Sequence, residues 1–101
     1  MDAEMRVQIT YDPDADAMYV RLREPTSSGT TEVDENGTIM DLDERGQPLG
    51  YEFLSVRSSG IRPGALPPAI RTAVREFLSS GALDSAKFVE RFVDADEGGF
   101  G

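Results

Sequence analysis

The chain has no cysteine and no histidine among its 101 residues. Without cysteine there is no disulfide framework and no thiol nucleophile. Without histidine the commonest general base, the commonest metal ligand and the usual pH switch are missing together. Ser-His-Asp, Cys-His and histidine–zinc schemes are therefore excluded on composition. No glycine-rich phosphate loop, nucleophile elbow or dinucleotide fingerprint is present either. No stretch approaches the roughly 20 apolar residues of a membrane-spanning helix. The opening MDAEMRVQI has no basic start leading into an apolar run, so no signal peptide is expected and the cytoplasm is the expected compartment.

What is present argues for a folded protein. The apolar fraction is 39%, with three Tyr and five Phe, and the length suits one domain over residues 1–101. The net charge is −9. It is uneven: residues 1–60 hold thirteen acids against five Arg, and residues 61–101 hold six acids against five bases. Such a surface repels a phosphate backbone, which excludes nucleic acid as the expected partner and suits a basic protein instead.

Period-2 alternation dominates residues 5–56. Met5, Val7, Ile9 and Tyr11 point one way along a first strand, and Met18, Val20 and Leu22 do so along a second. Short strands over Thr30–Asp34 and Thr38–Asp43 flank Glu35-Asn36-Gly37, a strong hairpin signal. A fifth strand, Leu49–Val56, aligns Leu49, Tyr51 and Phe53. Residues 57–66 read as a Gly/Pro-rich connector. Over residues 67–93 the period changes. Pro67 and Pro68 suit a first helical turn, Ile70, Val74, Phe77 and Leu78 make one face, and Gly81 is a stop. A second short helix is expected over Ser85–Val93, with Phe88, Val89, Phe92 and Val93 as its stripe, and a frayed tail over 94–101. The expected fold is α+β: a five-stranded antiparallel meander with one face covered by the C-terminal helix or helices. Phe88, Val89 and Phe92 are the candidate partner or dimer surface.

The carboxylates carry the remaining chemical interest. Asp12, Asp14 and Asp16 fall at alternate positions, as in a calcium loop, but the sixth position from Asp12 is Ala17 and the twelfth is Arg23. A window from Asp41 has Asp43, Gly46 and Glu52 in place but puts Arg45 at the fifth position, between strands instead of helices. No metal site is therefore expected. Gly46 reads as a turn residue with positive φ, and Asp12 and Asp16 as turn residues accepting backbone N–H bonds. Asp41 and Glu52 belong to strands expected to be neighbours, so together with Asp16 and Tyr19 they form the candidate binding cluster on the outward face. No catalytic residue and no cofactor is assigned.

Thirteen residues in order carry a resemblance: Tyr11, Asp12, Asp16, Tyr19, Leu22, Glu32, Val33, Asp41, Asp43, Gly46, Gly50, Glu52 and Leu54. This pattern, over about residues 7–56, resembles the small prokaryotic family known as domain of unknown function 2283. The resemblance implies a compact meander and no established activity. Some members resemble the antitoxin halves of toxin–antitoxin pairs, which implies a protein partner. Three readings stay open: a non-catalytic interaction module for a basic partner, a small-ligand protein or enzyme using the Asp16/Tyr19/Asp41/Glu52 cluster, and a homodimer with no other partner.

Overall fold

The computed structural model describes residues 4–23, 29–33, 38–61 and 66–96. The expected Glu35-Asn36-Gly37 turn, the middle of the connector and the last five residues lie outside them. The elements are β1 (Glu4–Asp12), β2 (Ala17–Arg21), β3 (Thr30–Val33), β4 (Ile39–Leu42), β5 (Pro48–Leu54), α1 (Val56–Ser59), α2 (Pro68–Ser79), a 3₁₀ turn (Ala82–Asp84) and β6 (Val89–Asp96). Six strands form one antiparallel sheet in the order β3-β4-β5-β2-β1-β6.

The α+β class with an open antiparallel sheet is as expected. Two details are corrected. The sheet is not a simple meander: β5 lies beside β2, and β3 lies at the far edge. The reason is visible in the side chains. β5 brings Leu49, Tyr51 and Phe53, all buried, and such a strand belongs in the middle. β3 is Thr-Thr-Glu-Val, exposed at every position, and a polar strand is tolerated at an edge.

The second correction concerns Ser85–Val93, which contains a strand in place of the expected helix. β6 pairs with β1 from Glu4↔Asp96 to Tyr11↔Val89. Apolar pairs four residues apart share a face in a helix and equally in a strand, so Phe88/Phe92 and Val89/Val93 fit both periods. Two physical facts favour the strand. Val and Phe prefer a pleated surface. Val7 and Ile9 of β1 have no exposed surface at all, so β1 needs a neighbour on its outer side.

One face of the sheet is the core. Val7, Ile9, Tyr11, Met18, Val20, Tyr51 and Phe53 pack against Ile70, Ala73, Val74 and Phe77 of α2, with Val56, Leu66 and Ala82 closing the margins. α2 starts with Pro68 at its first position, where the missing N–H has no partner to lose, and ends at Ser79, with Ser80 as its C-cap before Gly81. No helix among the described residues is long and apolar enough to cross a membrane. Among the described residues no helix lies over the opposite face of the sheet, which holds the candidate cluster.

Candidate functional site

Antiparallel register puts alternate residues of neighbouring strands on one face. The pairs Tyr19↔Glu52, Ile39↔Glu52, Asp41↔Gly50 and Thr31↔Asp41 therefore place Tyr19, Glu52, Asp41 and Thr31 together on the open face. Tyr19 sits on β2 and Asp41 on β4, with β5 between them. The Tyr19 ring crosses β5 at Gly50, and its hydroxyl donates to Asp41 Oδ2 at 2.8 Å. Thr31 Oγ1 donates to the other oxygen, Oδ1, at 3.2 Å.

Gly50 makes this crossing possible. A Cβ there would lie 2.7 Å from the Val20 carbonyl oxygen and inside the contact distance of the Tyr19 hydroxyl. Burial and the bond to Asp41 push the Tyr19 hydroxyl well above the usual tyrosine range, so it stays protonated and remains a donor. Tyr19 and Asp41 line a shallow depression of about 160 Å³ with Gly29, Thr30, Leu42 and Leu49.

Asp16 is not part of this group. It sits in the β1–β2 tip with φ 53°, a left-handed conformation that Asp tolerates better than most residues. Its carboxylate accepts from Tyr11 Oη at 2.6 Å, Arg57 N at 2.8 Å, Ser58 N at 3.3 Å and Ser58 Oγ at 2.9 Å. Its backbone carbonyl accepts from Val56 N at 3.1 Å. Asp16 thus caps the first turn of α1, which has no side-chain cap of its own. The Tyr11 hydroxyl and the α1 amides hold its carboxyl at about 2, below the usual 3.8. The same bond raises Tyr11.

The other turn carboxylates do similar work. Asp12 Oδ1 accepts from Asp14 N at 3.0 Å, the expected Asx-turn. Asp43 Oδ1 accepts from Arg45 N at 2.8 Å and Gln47 N at 2.9 Å, and Gly46 takes the positive φ that the turn needs. These amides, Gln47 first, lower the Asp43 carboxyl, and Arg23 lies 3.8 Å away.

The expected partner surface is split by the strand. Val89 turns toward the core, while Phe92 lies on the open face opposite Gln8, and Phe88 immediately precedes the strand. The Arg6 guanidinium lies 5.9 Å from the centre of the Phe92 ring. Beside them Gln8, Arg21, Leu22 and Arg23 line a second open depression of about 280 Å³. Gln8 donates to Glu90 across the β1–β6 pair.

Two contacts went unread in the sequence. One is the seating of Tyr19 on Gly50, whose only sequence signal is a glycine inside a strand, a mark of close approach. The other is the capping of α1 by Asp16 over more than forty residues of separation, which leaves no local signature.

Comparison with curated proteins and with solved structures finds no match. Residues 8–57, which hold the Tyr11–Asp16 bond, the Tyr19–Asp41 crossing and the Asp43 turn, match the family described as Protein of unknown function (DUF2283), and over that segment the chain belongs to it.

Proposed function

We propose that this protein is a non-catalytic protein-interaction module whose binding surface is the uncovered face of the sheet. One observation carries the reading. Among the described residues the exposed large hydrophobics are Val33, Leu54, Phe88 and Phe92, at 52–65% exposure. By register Val33, Leu54 and Phe92 all project from the uncovered face, and Phe88 stands at its margin. They share one side of the sheet, with Val33 and Phe92 on its opposite edge strands and Leu54 near its tip end, and it is their common side that supports a surface meeting another molecule.

The Tyr19 group supports binding more than chemistry. Its hydroxyl is engaged with Asp41, and the adjoining depression is shallow and open. Asp16 is occupied with a helix cap. A carboxylate pair working as acid and base requires a cleft with divergent pKa values. A basic, toxin-like partner is the finer form of the proposal. It rests on the net charge of −9 and would find the acids of the turns, Asp12, Asp14, Asp43 and Glu44, around the rim of the face.

The test is recovery from the native cell of tagged wild-type chain and of a Phe92→Asp, Leu54→Asp double variant. Both changes are at exposed positions. A protein identified by mass spectrometry in stoichiometric amount with the wild type, and lost with the variant, is expected. Equal recovery by both chains, or none with the wild type, overturns the reading.

A further inference from the structure

β6 ends the strand order, so among the described residues no strand pairs with it beyond β1. The direction of its free backbone groups follows from the ladder. Leu22 N donates to Leu49 O at 2.8 Å, and Asp16 O accepts from Val56 N at 3.1 Å, so the even residues of β2 turn their backbone groups toward β5. The odd residues Tyr19 and Arg21 then bond to Thr10 and Gln8 of β1. Val7, Ile9 and Tyr11 are left to bond to Val93, Arg91 and Val89, in a register that runs unbroken from Glu4↔Asp96 to Tyr11↔Val89. Glu90, Phe92, Asp94 and Asp96 therefore turn their N–H and C=O groups outward, along an edge of eight residues, roughly 27 Å at about 3.4 Å per residue.

Sheets commonly blunt an edge by keeping it short or by placing proline, lysine or a bulge in it. The other edge strand, β3, has only four residues. The sequence of β6, VERFVDAD, has neither proline nor lysine. Its edge is marked instead by charge of one sign on one side. The open-side register positions of β6 are Glu90, Phe92, Asp94 and Asp96, and those of β1 are Glu4, Arg6, Gln8, Thr10 and Asp12. Those positions hold five acids against Arg6, with Arg21 one strand further in. Glu90 accepts from Gln8, a neutral partner that leaves its charge in place.

A depression flanks the edge on each side. One of about 320 Å³ lies between β6 and the end of α2, lined by Glu76, Phe77, Ser80, Arg91, Phe92 and Val93. The other is the depression of about 280 Å³ beside Phe92 on the open face. A strand added along β6 sends its side chains alternately to these two sides. On the α2 side they meet Phe77 and Val93, where Arg91 and Glu76 offset each other, so apolar residues fit. On the open side they lie across from Glu90, Asp94 and Asp96 and beside Phe92, so Lys or Arg fits, with an aliphatic stem for the ring and a cation for the acids. A second copy is a poor occupant, because two β6 edges side by side bring these acids together with their own kind.

We propose that β6 receives an extended segment of a basic partner protein as a seventh strand, with Lys or Arg at alternate positions toward the open side and apolar residues between them toward α2. The proposal rests on the reading of the chain as a module for a basic partner, and adds where and in what form that partner docks.

The probe is an eight-residue peptide of alternating lysine and valine, and the first measurement is amide hydrogen exchange in the full-length chain. Without peptide the amides of Glu90 and Phe92 should exchange faster than those of Val89, Arg91 and Val93, which β1 holds. With peptide the exchange of Glu90 and Phe92 should slow by about tenfold or more. Unchanged exchange there overturns the proposal, even where the peptide adheres elsewhere by charge. Fluorescence anisotropy is the second measurement. The alternating lysine–valine peptide should bind at least about tenfold more tightly than one of alternating glutamate and valine, and than one with four lysines followed by four valines. Equal affinity for the last peptide, or no binding of the first at low salt, overturns the proposal. Glu90→Pro removes one outward N–H and leaves the bonds of Val89 and Arg91 to β1, a change an edge strand tolerates. It should weaken binding by about tenfold, against about threefold for Glu90→Ala, which loses the charge alone. Equal losses overturn the added strand. Circular dichroism and thermal melting establish that the variants are folded. Should Glu90→Pro fail to fold, Asp94→Pro takes its place, and the exchange measurement needs no variant. A free chain of twice 11.0 kDa by light scattering, with Glu90 and Phe92 already protected, gives the edge to a second copy and overturns the proposal. A native protein lost with the Phe92→Asp, Leu54→Asp variant but kept by Glu90→Pro defeats docking at the edge and leaves the interaction reading standing. No native protein and no bound peptide defeats both.

Discussion

Along β1 the inward residues Val7, Ile9 and Tyr11 are at most 1% exposed, while Arg6, Gln8 and Thr10 of the same strand project from the other side. β2 repeats the contrast with Met18 and Val20 against Tyr19 and Arg21. The two faces share one backbone and one set of ladder hydrogen bonds, so their difference lies in the side chains alone. The covered face owes its order to apolar burial under α2, which has no direction and tolerates no polar atom without a partner. The open face owes its order to directed contacts: a tyrosine seated on a glycine, a carboxylate accepting from two hydroxyls, an arginine over a phenylalanine. Stability belongs mostly to the first face, and the proposed recognition is assigned to the second.

The sharpest way to break this comparison is to remove one phenylalanine from each side. Phe77 of α2 is 1% exposed and central to the core. Phe77→Ala should cost about 3–5 kcal/mol in urea denaturation, the usual range for a buried ring replaced by a cavity. Phe92, 61% exposed, lies on the other side. Phe92→Ala in dilute protein should change stability by no more than about 0.5 kcal/mol. Similar losses at both positions would erase the distinction between the faces.

Gly50 is where the faces meet, because its backbone is buried while the space above it belongs to Tyr19. Gly50→Ala forces the Tyr19 ring away and presses on the Val20 carbonyl, an overpacking expected to cost about 1–3 kcal/mol. The same variant should release the Tyr19 hydroxyl from Asp41, read as a lower tyrosine titration in ultraviolet difference spectra. Tyr19→Phe keeps the ring and removes only the donor, so its cost is nearer about 1 kcal/mol. Its pH dependence has a definite sign. The folded hydroxyl is raised above its ordinary value of 10.0, so the bond contributes below pH 10 and is lost as pH rises through the folded value. The phenylalanine variant should therefore lose less stability on the alkaline side than the wild type.

The alternation in β1, β2 and β5 was readable because a half-buried strand leaves a period of two, and the face of α2 because a helix leaves one of 3.6. The strand order was not. Adjacency along the chain is a good rule for neighbours in a sheet, yet it says nothing of which strand is apolar enough for the middle, and that decided between β3 and β5. β6 has the sequence of a short helix as much as of a strand, because eight residues with apolar positions four apart fit both periods equally. The candidate cluster was partly readable for the same reason as the strands. Parity alone puts Tyr19, Asp41 and Glu52 on the outward side, whereas Asp16 lies past the end of the alternation, where parity has no authority. Tyr11, Asp12, Asp16, Tyr19, Asp41, Asp43, Gly46 and Gly50, eight of the residues that carry the family resemblance, are engaged in turns, a cap and the crossing over β5. The pattern that identifies the segment is thus chiefly a pattern for folding it, which is why it says so little about activity.

The smallest expected effect belongs to Asp16, a half-buried carboxylate at the tip whose interactions water partly screens. Its sign is nonetheless clear. Tyr11 and the amides of Arg57 and Ser58 hold its carboxyl at about 2 in the folded chain, against 3.8 ordinarily. A depressed value means that the folded state binds the proton less well than the unfolded state. The contribution is therefore complete above pH 3.8, declines as pH falls toward 2, and is gone below it. Asp16→Asn keeps one acceptor for Tyr11 but has no charge to lose. Its melting temperature should lie below that of the wild type at neutral pH and converge with it on the acid side. Asp43, held low by Gln47 and Arg45, remains in the variant, so part of the wild-type acid decline persists. Asp14→Asn removes a charge from the same turn without touching the cap and should leave the acid limb as in the wild type. If Asp14→Asn flattens that limb as much as Asp16→Asn does, the decline comes from the summed negative charge of the tip, and the bonds from Asp16 to Tyr11 and α1 carry none of it.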